Sequence, residues 1–298
     1  TPGKGEVLVK VRAGGLNPKD ILLRKGAFHP FLGFLDREPL PRVSGLDMAG
    51  EVVEKGDDVN DFSIGDAVAG MSNRFHGGVH AEFALLKADE VALCPTGVSW
   101  SESAAIPLAG LTALQALRDC ANVKPGQNVL INGASGGVGH FAVQIARAFG
   151  AMATGVCRRG KRGLVHSLGA GRVIDYTLED VTRRDERYDL ILDTAAHRSP
   201  RAYRRILAPD GVYVMVGGSM VRLVQTMLLR AWGSGASKHR FTTLMANPNP
   251  ADLRVLADLI ETGSVTPVVE RKFSLEEVPD AIRYVETGRA RGKVVVTV

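Results

Sequence analysis

Apolar and polar residues alternate at the start of the chain: Val7, Val9 and Val11 share one side of the run Glu6 to Arg12, the two-residue period of a half-buried strand. Similar short runs follow at Gly50 to Val53, Ala67 to Ala69 and His80 to Leu86. The turns Gly56-Asp57-Asp58, Gly65-Asp66 and Gly77-Gly78 separate them. Short strands punctuated by glycine predict a compact, mostly β domain over about the first hundred residues.

The rhythm changes at Asn128. Strands are predicted over 128–132, 152–157, 172–176, 188–193 and 211–217, interleaved with helices over 137–149, 161–168 and 199–207. A further strand is predicted at Phe241 to Met245. This alternation reads as an open parallel sheet covered by helices, so the fold class is α/β: a doubly wound sheet of Rossmann type beside a mostly β domain. Helices over 251–261 and 275–286 and a strand over 293–298 close the chain.

Within that pattern, the run Gly133-Ala134-Ser135-Gly136-Gly137-Val138-Gly139 follows the apolar stretch Asn128 to Ile131 and opens a helix. Val138, Phe141, Ala142, Ile145, Ala146 and Phe149 lie on one face of that helix, which can pack on the sheet. Strand, glycine turn and helix in this order suit a dinucleotide pyrophosphate, because glycines let the backbone approach the phosphates and the helix start offers unpaired N–H groups. A nicotinamide cofactor is the expectation.

At 298 residues the chain exceeds one usual domain, so two are expected. A composition 45% hydrophobic and 23% charged excludes a disordered chain, and no apolar run reaches membrane-spanning length. Cys94, Cys120 and Cys157 have no metal-ligand spacing, and their odd count argues against a disulfide framework. A reducing compartment follows, read as the cytoplasm, with an organellar address left open because the chain starts without Met. The net charge of +5 is modest, and nucleic acid is not the expected partner. Lys and Arg are scattered except around Arg201, Arg204 and Arg205 and in the run Arg158-Arg159-Gly160-Lys161-Arg162.

That last cluster has a consequence for the cofactor. An acidic residue at the end of the second strand would bond the ribose 2′-hydroxyl, whereas cations there accommodate a 2′-phosphate. Here the strand ends at Cys157, no Asp or Glu stands between Gly139 and Asp175, and the basic run follows at once. Cations are disfavoured at a helix start, so their presence needs a reason. NADPH is therefore preferred over NADH, with Arg158 and Lys161 as the candidates for the 2′-phosphate.

The stretch GQNVLINGASGGVGHFAVQIAR, Gly126 to Arg147, is the most specific of several that run nearly end to end. Others are GLNPKD at Gly15 to Asp20, GLDMAGEV at Gly45 to Val52, IPLAGLTALQAL at Ile106 to Leu117 and RGKVVV at Arg291 to Val296. Together they resemble the medium-chain dehydrogenase/reductase superfamily, in its zinc-independent quinone oxidoreductase or zeta-crystallin-like branch. The resemblance implies a GroES-like domain from residues 1–103 and 249–298, around a Rossmann domain from 104–248, with an acceptor bound in the cleft between them.

It also implies site residues. Ser135, Gly136, Gly137 and Val138 would contact pyrophosphate, and Lys161 and Tyr176 would lie at the adenosine phosphate. Val216, Gly217 and Gly218 would flank nicotinamide, while Asn17 and Thr112 would orient it by hydrogen bonds. The zinc ligands of related alcohol dehydrogenases are replaced: Asn17 stands at the first position, Leu46-Asp47 at the usual His-Glu pair and Leu108 at the third. No metal is therefore expected. The implied reaction is hydride delivery to a small electrophilic acceptor, a quinone or an α,β-unsaturated carbonyl, the product taking its proton from solvent. Leu22 and Phe28 stand where such reductases often carry tyrosines, and the segments Arg222 to Gly233 and Phe241 to Leu253 look more like the plant-type enone or quinone oxidoreductases, so both acceptor classes stay open. The rival reading is a cofactor-binding protein with a structural or RNA-related role.

Several residues are discounted. His76, His80, His140 and His166 lack metal-binding spacing and read as surface or hydrogen-bonded histidines. Asp47 reads as a turn residue bonding to backbone rather than a proton relay, and Cys157 as inert packing. The Met- and Leu-rich segment Arg222 to Gly233 could cover an apolar cleft or touch a membrane surface, but core packing is the preferred reading. A strand near 241–245 at the sheet edge would make a homodimer the expected assembly.

Overall fold

The computed structural model describes residues 1–25, 43–73, 77–232 and 239–298; Phe28 and His76 lie outside them. The chain forms two compact units: Thr1–Leu111 with Asn247–Gly263 and Pro267–Val298, and Thr112–Ala246 with Ser264–Thr266. The first change of unit falls inside the helix Pro107–Gln115, later than the residue 103 expected from sequence.

The first unit is built on β1 (Glu6–Gly15), β2 (Asp47–Lys55), β3 (Ala67–Met71), β4 (Phe83–Lys87) and β5 (Val91–Leu93). From the end of the chain come β12 (Val269–Ser274) and β13 (Lys293–Thr297). They make one seven-stranded sheet in the order β12-β13-β1-β2-β3-β5, with β4 also on β1. The alternation read from Val7, Val9 and Val11 is realised: all three are buried against Met48, Val52, Val68 and Leu86. β12 escaped the sequence because VERKFS is a half-exposed edge strand whose inner face, Val269, Arg271 and Phe273, is interrupted by a charge and only partly buried. The short helices Pro18–Arg24 and Trp100–Ala105 and the longer Pro107–Gln115 also went unpredicted.

The second unit holds β6 (Asn128–Asn132), β7 (Met152–Cys157), β8 (Arg172–Asp175), β9 (Tyr188–Asp193), β10 (Leu207–Val216) and β11 (Arg240–Leu244). They form a parallel sheet in the order β11-β10-β9-β6-β7-β8. Three predicted strands, 128–132, 152–157 and 188–193, coincide with the observed ones residue for residue. The predicted helix 199–207 is instead the short helix Pro200–Tyr203 and a 3-10 turn Arg204–Ile206, because Leu207 already pairs with Tyr188. The chain runs outward through β6, β7 and β8 and then crosses back to place β9 on the other side of β6. The crevice between the ends of β6 and β9 is the topological switch point, where such sheets bind ligands.

One expectation is corrected. The Met- and Leu-rich segment is the helix Met220–Trp232, and only part of it is core: Leu223 and Leu229 pack inward and Thr226 is buried. Met220, Val221, Val224, Met227 and Leu228 are exposed, because a helix lying on a sheet buries one face and this one carries apolar residues on both. Among the described residues no helix is long and apolar enough to cross a membrane.

Candidate functional site

In the parallel-sheet unit, the chain leaves β6 at Asn132 and turns so that the N–H groups of Gly133 and Ala134 both bond the Val156 carbonyl at 3.1 Å. The helix Gly137–Ala148 then begins, and its first internal bond runs from the His140 N–H to the Gly136 carbonyl. The N–H groups of Gly137, Val138 and Gly139 precede that bond and have no acceptor within the helix. A Cβ on Gly139 would lie 2.1 Å from the Gly133 carbonyl oxygen, so only glycine lets the helix start this close to the turn. At Gly136 a Cβ would meet only the Gly133 oxygen, at 3.3 Å, which leaves room beside the backbone. Ser135 is buried beneath this cradle. His140 is fully buried with Nδ1 3.1 Å from the Gly136 carbonyl, a packed histidine as expected.

The basic run lies at the end of β7. Arg158, Arg159 and Arg162 are exposed and Lys161 is half-buried on the 3-10 turn Arg159–Lys161. One group here was missed: Asp175, at the end of β8, is the ladder partner of Cys157. Thr177 donates to it from Oγ1 at 2.7 Å and from its N–H at 2.9 Å, and these bonds hold its carboxyl below the usual range. The buried Oδ2 of Asp175 has no hydrogen-bonding partner. No acid stands on β7, yet a carboxylate from the next strand lies alongside. Tyr176 follows it, about half exposed. Burial and the Asp175 charge push the Cys157 thiol up to about 11, in keeping with an inert cysteine.

Beneath the switch point runs a polar network that sequence did not reveal. Asp193 is fully buried at the end of β9. Its Oδ1 accepts from Asn132 Nδ2 at 2.8 Å and from the Ala196 N–H at 2.8 Å, and its Oδ2 accepts from the Tyr213 hydroxyl at 2.8 Å. Asn132 also donates to the Tyr203 hydroxyl at 2.9 Å. Burial and the neighbouring Asp193 raise both tyrosines above their ordinary range. The network fixes the turn through Ala196, against which a Cβ on Gly218 would close to 2.6 Å. Val216 is half-buried and Gly217 and Gly218 are exposed at the end of β10. Thr112, buried on the helix Pro107–Gln115, belongs to this same unit.

In the β-rich unit, three neighbouring strands bring a second cluster together. Gly15 at the end of β1 pairs with Asp47 at the start of β2 and with Val295 on β13, so Asn17, Asp47 and Lys293 meet at one end of the sheet. Lys293, 2% exposed, donates from Nζ to Asn17 Oδ1 at 2.7 Å and to Asp47 Oδ2 at 3.1 Å. Asn17 Nδ2 donates to Asp47 Oδ2 at 2.9 Å, and the Leu108 N–H donates to Asp47 Oδ1 at 2.9 Å. Asp47 thus bonds backbone, as expected, but from the first position of strand β2 rather than from a turn, because it pairs with Gly15 and Met71, and it bonds side chains as well.

Two further buried groups border the cluster. Asp20 Oδ2 accepts from the Asn17 N–H at 2.7 Å, while its Oδ1 has no partner. Burial, then the nearby Asp47 charge, raises the Asp20 carboxyl to about 7. His80 packs on Gly14 and Gly45, with Nδ1 3.1 Å from Ser44 Oγ, and burial lowers it to about 4. Lys293 and Asp20 lie inside the stretches RGKVVV and GLNPKD, but nothing there marks them as site residues, because a lone Lys or Asp near a strand or helix end carries no spacing signal.

Comparison with known proteins gives this architecture relatives. Residues 3–96 match the model of the alcohol dehydrogenase GroES-like domain and residues 168–296 that of the zinc-binding dehydrogenases. The chain is 35% identical to the chloroplastic quinone-oxidoreductase QR1 of Triphysaria versicolor, over 99% of this chain and 91% of that protein. It is also 35% identical to the 2-methylene-furan-3-one reductase of Solanum lycopersicum, over 98% of this chain and 71% of that one. The chain belongs to the quinone oxidoreductases of the medium-chain dehydrogenase/reductase superfamily. The solved quinone oxidoreductase of Coxiella burnetii superposes with a TM-score of 0.88 at 30% identity, covering 100% of this chain and 92% of that one. The human mitochondrial NAD(P)H oxidoreductase RTN4IP1 is 33% identical over 98% of this chain and 82% of its own.

This member of the superfamily is an oxidoreductase, and its cradle of turn and helix start fits the pyrophosphate of a nicotinamide cofactor. A zinc ion does not fit the residues at 17, 46, 47 and 108, where the fully buried Leu46 stands at the His of the usual His-Glu pair and has no atom to bind a metal. Both Asp47 oxygens and both ends of the Asn17 amide are already bonded, position 108 is leucine, and the Lys293 ammonium puts a positive charge against Asn17 and Asp47. Among the described residues no group of three His, Cys, Asp or Glu side chains could hold a metal.

Proposed function

We propose that the protein is an NADPH-dependent reductase that delivers hydride, without a metal, to a quinone or to the β-carbon of an α,β-unsaturated carbonyl. The observation that carries this reading is the buried Lys293, Asp47 and Asn17 cluster, a donor set unsuited to the Lewis acid that alcohol oxidation would need. An acceptor that is already electrophilic needs none, and relatives named for a quinone and for a furanone enone support keeping both classes.

Bound NADPH supplies the hydride. Ser135, Gly136, Gly137 and Val138 hold its pyrophosphate through the N–H groups of the helix start. Arg158 and Lys161 take the 2′-phosphate beside Tyr176, since an exposed and a half-buried cation just past the end of the second strand suit a dianion. Val216, Gly217 and Gly218 flank the nicotinamide, and Asn17 and Thr112 orient it. With its amide nitrogen engaged, Asn17 has the second lone pair of Oδ1 to offer. The product takes its proton from solvent. A homodimer through β11, an edge strand among the described residues, is the proposed assembly, and a reducing compartment, the cytoplasm or an organelle interior, suits the three thiols.

The test is oxidation of NADPH and NADH over a panel of quinones and enones, with and without a chelator. Turnover that prefers NADPH and ignores the chelator is expected. Inactivity on both acceptor classes, or loss of activity on chelation, would overturn the reading.

A further inference from the structure

We infer that Lys293 is a positioning residue, a built-in cation that fixes the Asn17 amide in one orientation at the chain positions where metal-dependent relatives carry ligands. This rests on the role proposed above for Asn17. The geometry is specific. An amide side chain can be turned over with little change of shape, and its hydrogen-bond partners decide which end is oxygen. Around Asn17 the choice is forced: the Lys293 ammonium has only protons to give and meets Oδ1 at 2.7 Å, while ionised Asp47 has only lone pairs and meets Nδ2 at 2.9 Å.

Asp47 then ties Lys293 to the rest of the site. Its Oδ2 is shared by Lys293 and Asn17, and its Oδ1 holds the backbone at Leu108, so residues 17, 47 and 108 are clamped through one carboxylate. The clamp is sealed from water: Asn17 is 4% exposed, Lys293 2% and Asp47 0%. An ion pair this deep is seldom the best way to add stability, since a hydrophobic pair of similar volume often serves as well or better. What this pair does here, and an apolar pair cannot, is tell the two ends of an amide apart. The ammonium has one proton left after these two bonds, and the buried Asp20 Oδ1, without a partner of its own, lies within electrostatic reach of it.

The experiment compares Asn17→Ala, Lys293→Arg, the charge-neutral pair Lys293→Met with Asp47→Asn, and the triple variant combining that pair with Asn17→Ala. The pair avoids leaving Asp47 buried and alone, and its melting curve reports folding. Two readouts are taken. In the first, the side-chain amide protons of Asn17, followed by nuclear magnetic resonance, are expected to exchange slowly in the parent and in Lys293→Arg and rapidly in the pair; slow exchange in the folded pair overturns the proposal. In the second, the pair is expected to bind NADPH within about twofold of the parent but to lose between about tenfold and a hundredfold in kcat, the scale of a slight misplacement. The triple variant is expected to be no slower than Asn17→Ala alone, because the two effects run through one amide. Parental kcat in the pair, or multiplied losses in the triple variant, overturns the proposal. Absence of NADPH turnover in the parent would instead sink the functional reading and leave the exchange measurement standing.

Discussion

Asp20 and Asp47 are buried together at the end of the β-rich sheet, and the charge on Asp47 adds to burial in raising the Asp20 carboxyl to about 7. Lys293 and Lys19 pull the other way without cancelling it. A folded value above the unfolded 3.8 means that the folded protein holds this proton more tightly than the unfolded chain does. Stability therefore falls as pH rises from about 4 to about 7 and stays reduced above that. Asp20→Asn keeps an acceptor for the Asn17 N–H and removes the charge. It is expected to be more stable than the parent at pH 8, by on the order of 2 kcal/mol, with the difference shrinking toward pH 4. Thermal melts across that range check it, and a pH-independent difference would count against the assignment.

The basic run at the end of β7 makes a prediction about selectivity. Arg158→Ala combined with Lys161→Ala is expected to raise the KM for NADPH between about tenfold and a hundredfold, the scale of a lost charged hydrogen bond, and to leave the KM for NADH within about twofold. Initial rates with both cofactors decide it. Equal effects on the two would show that these cations do not meet a 2′-phosphate.

Asp175 works against those cations. Its carboxylate, held ionised by Thr177, lies across the ladder from Cys157. Asp175→Asn removes a negative charge beside the basic turn and is expected to improve NADPH binding by a few fold relative to NADH, measured by fluorescence titration. Weaker NADPH binding would mean that Asp175 instead organises the turn.

Gly139→Ala sets helix propensity against packing. Alanine favours a helix by about 1 kcal/mol over glycine. Its Cβ, however, would sit 2.1 Å from the Gly133 oxygen and 2.7 Å from the Ala134 Cα, both backbone atoms that cannot swing aside. Packing is expected to win, with a net loss of about 1–3 kcal/mol in a denaturant titration and weaker cofactor binding. A stabilised variant would refute the close approach.

Tyr213→Phe and Tyr203→Phe separate two roles in the network under the switch point. The first strips Asp193 Oδ2 of the 2.8 Å bond from the Tyr213 hydroxyl and is expected to cost about 1–3 kcal/mol, the penalty of a buried acceptor left short. The second removes one acceptor from Asn132 Nδ2, which keeps Asp193, and is expected to cost about 0.5–1.5 kcal/mol. Chemical denaturation of both variants checks the order.

Much of the parallel-sheet unit is legible along the chain. Strands such as Val129 to Ile131 are buried on both faces and read as apolar runs, and Gly133 to Gly139 announces both the turn and the helix start that follows it. The basic run after Cys157 is legible for the same reason: its neighbours in sequence are its neighbours in space. Less legible is the helix Met220–Trp232, where apolar residues on both faces hide which face is buried.

Local order along the chain thus determined the alternation of strands and helices, the glycine turn with its helix start and the cationic turn, because each depends on residues a few positions apart. Only the tertiary structure decided that Asp175 stands beside Cys157, that Asn132, Asp193 and Tyr213 share one network, and that Lys293 reaches Asn17 from the far end of the chain. Those meetings follow from strand order and register, β13 against β1 and β9 against β6, and pairings between distant segments leave no periodic trace in either partner.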